Sequence, residues 1–437
     1  ASLPAFTPHI ISTAVNYARP VYATDIDGDG DVDVVSGSNA DDQVTWWEQE
    51  GRKEVPPFRV LGMEVTQGIQ CYNSPEDPNC PNNSVPLIAD KPTKVRVYVA
   101  SNTGAQLPVQ GTLYANNGVE TVGIKPEPLG GADSSQAVPN PDRENIHHGL
   151  WFPMPQSMRD GLISVHVEVY TSTQTSRVRY PTLGEIELTF NNMEPLRIGY
   201  VSIEYKNAIP DETRIAIAQG YLESLYPLSE VDYFKVGTMR YLGPHLEDGI
   251  LLQLKGLYDW YNISGWPQSN GKPDQLFGWV PDETWGLAGS STPQFLLGSG
   301  RIACGSDTPL NKTYRMIMAH EIGHNLGLCH PICDYLPFIC PYGGSHWPHN
   351  DYAIHDVGFD FDVYERNTVI KEKMDDFMIG GHCGASVYAH KWISAYTFQS
   401  LYTALANGEQ TMGTYGHKPL KMIEAGQQVL LVSGRVY

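Results

Sequence analysis

The stretch MAHEIGHNLGLCH at residues 318–330 constrains this chain more than any other feature. His320 and His324 are four positions apart, so a helix would place both imidazoles on one face, about one turn apart. Gly327 can end that helix at a positive φ and turn the chain sharply. Such a turn would bring His330 back towards the other two histidines. The spacing therefore predicts a helix followed by a tight return, with three imidazoles around one point.

Three converging imidazoles are a typical zinc-binding set. Zinc takes nitrogen ligands at roughly 2.0–2.1 Å in a tetrahedron, and a catalytic zinc site keeps one position open for water. Glu321 directly follows the first histidine and can accept a proton from that water. A polar helix face with unrelated histidines would account for a bare H-E-x-x-H. The longer string H-E-x-x-H-x-x-G-x-x-H favours a zinc site with His320, His324 and His330 as ligands.

The full string resembles that of the metzincin family of zinc metallopeptidases. This family also has a Met-turn, whose methionine lies beneath the zinc ligands. Met378 in MDDFMIGGHCG is the candidate, with Met374 as the alternative. The resemblance implies that Glu321 is the general base and later the proton donor to the leaving amine. It also implies that an edge strand at 284–291 binds extended substrate, although an ordinary internal strand fits that segment equally well. Some metzincins have tyrosine where this chain has Gly380.

A second motif, DIDGDGDVD at residues 25–33, places an aspartate at every second position with glycines between. Oxygen ligands in a sharply turning loop suit the roughly six to eight contacts that calcium makes. The loop is not an EF-hand, because the twelfth position from Asp25 is Ser36 and an EF-hand needs glutamate there. It resembles the calcium loop of integrin-type FG-GAP repeats, and a solvated acidic turn is the alternative. The predicted calcium ligands are Asp25, Asp27, Asp29, Asp31 and Asp33, with Asp31 offering its backbone carbonyl.

The pattern of elements predicts four segments. Residues 1–56 form a β unit around the calcium loop, and the alternating β-branched runs of 57–192 predict an Ig-like β-sandwich. Residues 193–408 alternate strands with helices and contain the zinc string, and 409–437 end in one apolar strand. Apolar periodicity predicts helices in PDETRIAIAQGYLESLYP, DGILLQLKGLYDWYN, TYRMIMAHEIGHNLG and HKWISAYTFQSLYTALA. The expected fold class is multidomain α+β, with the N-terminal β calcium-loop unit and β-sandwich followed by a metzincin-like α/β catalytic domain.

Charge and cysteine content narrow the class of protein. The 49 acidic and 29 basic residues give a formal net charge of −20, which disfavours nucleic acid and anionic membranes as partners. No run approaches the ~18 apolar residues of a membrane span. Seven cysteines without a C-x-x-C motif predict disulfides and an oxidising compartment. Cys71 and Cys80 close a short loop and are expected to pair. A Cys333–Cys383 bridge is a hypothesis for the zinc region.

These features predict a secreted zinc-dependent endopeptidase that hydrolyses protein or peptide substrates, with Zn²⁺ as the catalytic and Ca²⁺ as a structural cofactor. The oligomeric state is left open. One alternative is a zinc- and calcium-bearing adhesin without catalysis, and another is a protease restricted to glycoproteins. The presence of Glu321 argues against the adhesin, because binding zinc does not require a base.

Overall fold

The computed structural model describes residues 13, 17–26, 32–40, 42–48, 56–73, 80–129, 136–171, 177–244, 247–266, 271–281, 289–291, 300–309, 313–331, 342–344, 347–361, 368–379 and 391–406. The chain divides into two compact units, residues 1–57 and 58–437. The finer domain boundaries expected from the sequence stay predictions.

The first unit contains a three-stranded antiparallel sheet. Its strands, in spatial order, are β1 (Ala18–Thr24), β2 (Asp33–Ser38) and β3 (Gln43–Trp47). Asp33 opens β2 and is buried, and its Oδ2 accepts the backbone N–H of Ile26 at 3.1 Å. This hydrogen bond ties together the two ends of the connection that carries the acidic motif.

Two sheets enclose the first core of the second unit. Their strands are β4 (Phe58–Thr66), β5 (Leu87–Ile88), β6 (Lys94–Ser101), β7 (Leu107–Asn116), β8 (Thr121–Ile124), β9 (Gln136–Ala137), β10 (Leu150–Pro153), β11 (Gly161–Thr171), β12 (Arg177–Tyr180) and β13 (Ile186–Asn191). The smaller sheet has the order β10-β6-β4, and the larger has the order β5-β13-β11-β7-β8 with β12 beside β11 and β9 beside β7. Alternate residues of β11 are buried in the shared core, as the two-residue period of a strand requires.

The next part of the second unit is a five-stranded sheet with helices. In chain order it contains β14 (Leu196–Tyr205), α1 (Glu212–Leu225), β15 (Val231–Tyr241), α2 (Glu247–Ser264), β16 (Gln275–Val280), β17 (Gly289–Ser291), β18 (Ile302–Ser306) and α3 (Thr313–Asn325). The sheet order is β15-β14-β16-β18-β17. Its neighbours are parallel except β17, which runs antiparallel to β18. The Asp211 side chain accepts the Thr213 N–H and so caps α1.

Short strands and one helix complete the described part of the chain. They are β19 (Leu328–Pro331), β20 (Tyr342–Gly344), β21 (Gly358–Asp360), β22 (Thr368–Ile370) and α4 (Ala395–Ala406). β19 pairs with β20, and β21 pairs with β22. The apolar face of α4 joins the core that α1 and α3 share, through residues such as Phe398 and Leu401. None of the described helices is both long and apolar enough to span a membrane.

The expected fold class is wrong. Strands hold 42% of the described residues and helices only 19%, in several sheets with four helices. The second half of the chain is therefore not the helix-rich, metzincin-like α/β catalytic domain that the sequence pattern suggested. The error has a physical cause, because β18 to β22 are short and their pairing is set by distant partners. Such strands lack the local alternation on which strand prediction depends.

Buried polar contacts join the first core of the second unit to the part that contains α1, α3 and α4. Lys91 Nζ donates to Leu228 O at 3.2 Å just beyond α1. Arg143 bonds Glu64 Oε1 at 2.7 Å, Asp356 Oδ1 at 2.8 Å and Gln70 O at 2.6 Å. Both carboxylates are almost fully buried, so this guanidinium balances two charges that are shielded from water.

Replacing Arg143 by methionine should leave two buried carboxylates without their shared cation. We expect Arg143→Met to lower the free energy of unfolding by about 3–5 kcal/mol, measured by urea denaturation at pH 7. Arg177→Met is the matched control, because the Arg177–Glu168 pair has a half-exposed arginine. The control should cost less than about 1 kcal/mol. Equal losses in the two variants would contradict this account of the buried network.

Candidate metal centre

The three histidines of the zinc string come from two consecutive elements. His320 and His324 lie one turn apart on α3, and His330 lies on β19. Gly327 has a φ of 90° and donates its N–H to His324 O at 3.0 Å, so it ends the helix in the left-handed region that favours glycine. The chain reverses there and returns along β19. The helix, the glycine turn and the return of His330 follow the local geometry expected from the sequence.

The three Nε2 atoms converge. The distance from His324 Nε2 is 3.1 Å to His320 Nε2 and 3.1 Å to His330 Nε2, and the remaining pair is 3.2 Å apart. Three nitrogen ligands at the usual zinc distance in a tetrahedron would be roughly 3.3 Å from one another. Within the described ranges, this trio is the one group of three or more His, Cys, Asp or Glu side chains close enough to share an ion.

Hydrogen bonds at the opposite ring nitrogens determine which atoms face the centre. His320 Nδ1 lies 2.9 Å from Phe377 O, and His324 Nδ1 lies 2.9 Å from Leu328 O. A carbonyl oxygen only accepts, so both Nδ1 atoms carry the proton. In the neutral rings, both Nε2 atoms then present lone pairs to each other at 3.1 Å. A proton on His330 could satisfy one of these nitrogens at a time, whereas a cation satisfies all three.

The electrostatic surroundings of His320 keep it neutral. Burial, followed by the neighbouring His324 and His330, lowers the pKa of His320 well below its usual range. The hydrogen bond to the Phe377 carbonyl acts in the opposite direction but is a smaller effect. A neutral imidazole with a protonated Nδ1 is the form that donates its Nε2 lone pair to a metal.

Met378 lies against α3 at Gly323, between His320 and His324. A Cβ added at Gly323 would come within 2.7 Å of Met378 Sδ, so a larger residue there would displace the methionine side chain. Met378 is buried, and its neighbour Phe377 supplies the carbonyl that accepts from His320. Met374, the alternative candidate, is only partly buried and packs at the margin of the same core.

Glu321 is buried on α3 directly after His320, with 6% of its surface exposed. A carboxylate at this position lies on the same helix as two of the three candidate ligands. It is the acidic side chain closest in sequence to the trio.

The turn that carries Phe377 is fastened by residues to which the sequence analysis assigned no role. The Asp376 carboxylate is fully buried and accepts hydrogen bonds from Met378 N, Ser394 N and Thr397 Oγ1. Burial raises the pKa of Asp376, and these hydrogen bonds oppose the rise. Lys391 Nζ donates to Ile379 O. The signal in the sequence was an aspartate two positions before the methionine, where it can form an Asx-turn.

The structure describes only some of the other site residues that the sequence indicated. Asp25 and Asp33 belong to the first unit, whereas Asp27, Asp29 and Asp31 lie outside the described residues. Cys71 and Cys80 form the predicted disulfide. Cys329 lies inside the zinc string, although the string does not specify a cysteine there, and it is disulfide-bonded. Gly380 and the hypothetical Cys333–Cys383 pair lie outside the described residues.

Part of the expected substrate strand is described. β17 (Gly289–Ser291) is the edge of its sheet among the described strands and lies beside α3. Residues 284–288 of the proposed segment lie outside the described part of the chain.

Comparisons with known proteins do not assign the chain to a family. No family model matches the chain, and no curated protein matches it. Among solved structures, the chain is similar to a family 123 glycoside hydrolase from Clostridium perfringens, with 8% sequence identity and a TM-score of 0.17. The match covers 52% of this chain and 38% of that chain. A TM-score this low supports no conclusion about fold or activity.

The converging imidazoles lead to a prediction about metal content. We expect metal analysis of the purified protein to find about one transition-metal ion per chain attributable to this trio. His324→Ala should abolish that binding, because two nitrogens cannot hold the ion alone. His349→Ala is the matched control, since the His349 ring stacks on His355 at 3.8 Å outside the trio. Undiminished metal content in His324→Ala would contradict the assignment.

Proposed function

We propose that this protein is a secreted zinc-dependent endopeptidase. The observation that carries the proposal is the convergence of His320, His324 and His330 Nε2 atoms within 3.2 Å, with the buried carboxylate Glu321 on the same helix. The string H-E-x-x-H-x-x-G-x-x-H and the contact between Met378 and Gly323 also support it. The proposal depends on this centre and not on the fold class.

The donor set fits zinc. Three imidazole nitrogens at this spacing are typical of a catalytic zinc site, and among the described residues no further His, Cys, Asp or Glu joins the group. His320, His324 and His330 would hold the ion. When bound, zinc supplies a Lewis acid that makes water more acidic and polarises a substrate carbonyl. The hydrogen bonds from His320 to Phe377 O and from His324 to Leu328 O would keep both rings oriented for this purpose.

Glu321 would move the proton in the reaction. Its carboxylate accepts a proton from the attacking water while the water oxygen adds to the scissile carbonyl carbon. The protonated carboxyl group then delivers that proton to the leaving amine as the C–N bond breaks. An adhesin that merely held zinc would not need a base, so the presence of Glu321 directly after His320 in the sequence favours the peptidase.

The edge strand β17 would bind the substrate. Backbone N–H and C=O groups on a strand edge pair with an extended peptide whatever its side chains are. Because β17 lies beside α3, a peptide bound along this edge would run past the helix that bears the candidate ligands. This arrangement accords with a general endopeptidase.

The proposed location is extracellular. The Cys71–Cys80 bond and the disulfide-bonded Cys329 support an oxidising compartment.

We also propose calcium as a structural cofactor of the first unit. The alternating aspartates of residues 25–33 support this, as does the hydrogen bond from Ile26 N to buried Asp33. Adding Ca²⁺ to calcium-free protein should raise the midpoint of thermal unfolding, because a ligand of the folded state stabilises it. Asp33→Asn should weaken the response without changing the zinc content. An equal response in the variant, or none in the wild type, would contradict the calcium site.

Glu321→Gln tests the peptidase mechanism. The amide has nearly the same shape but cannot take up the proton, so cleavage of an unstructured protein should fall by about 10²–10⁴-fold. The zinc content of the variant should remain that of the wild type. Turnover is measured by the appearance of new amino termini.

Glu230→Gln is the matched control, because it makes the same chemical change at an exposed residue. It should cleave at the wild-type rate. Equal turnover in Glu321→Gln and wild type would exclude Glu321 as the base. Zinc binding without any cleavage by the wild type would instead favour the adhesin.

A further inference from the structure

The candidate metal centre has a support that neither the zinc string nor the Met-turn methionine includes. His320 Nδ1 donates to Phe377 O, and this bond connects α3 to a turn more than fifty residues later in the chain. The direction of the Phe377 carbonyl therefore contributes to the orientation of the His320 ring. Phe377 itself is fully buried between Asp376 and Met378.

The Asp376 carboxylate joins this turn to the start of α4. Its Oδ1 accepts from Met378 N at 2.8 Å, which closes an Asx-turn around Phe377. Its Oδ2 accepts from Ser394 N at 3.0 Å and from Thr397 Oγ1 at 2.7 Å. Ser394 Oγ in turn accepts from Thr397 N at 3.1 Å, as an N-cap residue does. One carboxylate thus holds the turn and the first turn of a helix.

We infer that Asp376 is a positioning residue of the metal centre, which aims the Phe377 carbonyl at His320 by fixing the turn against the N-terminus of α4. The inference rests on the metal-binding part of the proposed function and is independent of peptide cleavage. This role explains why a buried position that apolar packing could fill carries an acidic side chain with three hydrogen-bond donors.

Two features of its surroundings require a carboxylate at residue 376 and would not suit an amide. All three of its described partners are donors, so an amide in the same place would turn an N–H towards at least one N–H or O–H. The N-terminus of a helix also favours a negative charge, which an amide lacks. Replacement by asparagine therefore weakens the link between the turn and α4 while changing little in volume.

The backbone of the turn has other attachments that keep it folded. Phe377 N donates to Trp392 O at 2.6 Å, and Asp376 N donates to Tyr352 O at 2.8 Å. These bonds do not involve the Asp376 side chain. Asp376→Asn is therefore expected to fold, with the turn displaced at Met378 and at the Phe377 carbonyl.

The experiment compares Asp376→Asn with Asp375→Asn in the full chain. Zn²⁺ affinity is measured by competition with a chromophoric chelator, and the visible absorption of Co²⁺-loaded protein reports ligand geometry. We expect Asp376→Asn to weaken zinc affinity by about 10–100-fold and to change the cobalt spectrum. Asp375→Asn removes the same charge from the adjacent, partly buried residue. It should keep the wild-type affinity within about two-fold, since a remote charge is a small effect.

Thr397→Val provides a second variant should Asp376→Asn fail to fold, because it removes a single donor and preserves shape. It should weaken zinc affinity in the same direction by a smaller factor. Wild-type affinity and an unchanged cobalt spectrum in folded Asp376→Asn, or in Thr397→Val where the former is unfolded, would overturn the inference. A wild type that binds no zinc would overturn the proposed function with it. Zinc binding without peptidase activity would leave this inference standing.

Discussion

Three imidazole nitrogens that face one another at 3.1–3.2 Å are the constraint on which the rest of this site depends. Two of them present lone pairs to each other because their rings donate through Nδ1 to backbone carbonyls. Such an arrangement is repulsive in a neutral protein interior and becomes favourable around a cation. The surrounding structure must therefore hold the rings in place against this repulsion.

That support comes from elements distant in sequence. Tyr226, at the end of α1, donates its hydroxyl to Ala319 O on α3 at 2.6 Å. The turn at Phe377 is held by Asp376 and by the Trp392 backbone, and Trp392 Nε1 donates to Gly68 O at 2.8 Å. Gly68 follows β4, so this hydrogen bond links the first core of the second unit to the turn at Phe377. The positions of the three histidine rings therefore depend on how the second unit packs. A substitution that shifts this packing should also shift the rings.

The sequence allowed the local geometry of the three histidines to be predicted better than the fold. Spacing alone identified the helix of His320 and His324, the break at Gly327 and the return of His330, because these depend on local geometry. The four α-helices of the described residues also lie where apolar periodicity indicated them. The fold class was wrong because β18 to β22 depend on pairing between distant segments. Asp376 was missed for the same reason, since its donors Ser394 and Thr397 become neighbours only after folding.

X-ray absorption at the zinc edge tests the central claim most directly. Protein loaded with one equivalent of zinc should show three imidazole nitrogens at about 2.0–2.1 Å and one further light atom. His324→Ala should lose this pattern. Sulfur scattering at roughly 2.3 Å, or a shell of oxygen atoms without imidazole, would show that His320, His324 and His330 do not form the metal centre.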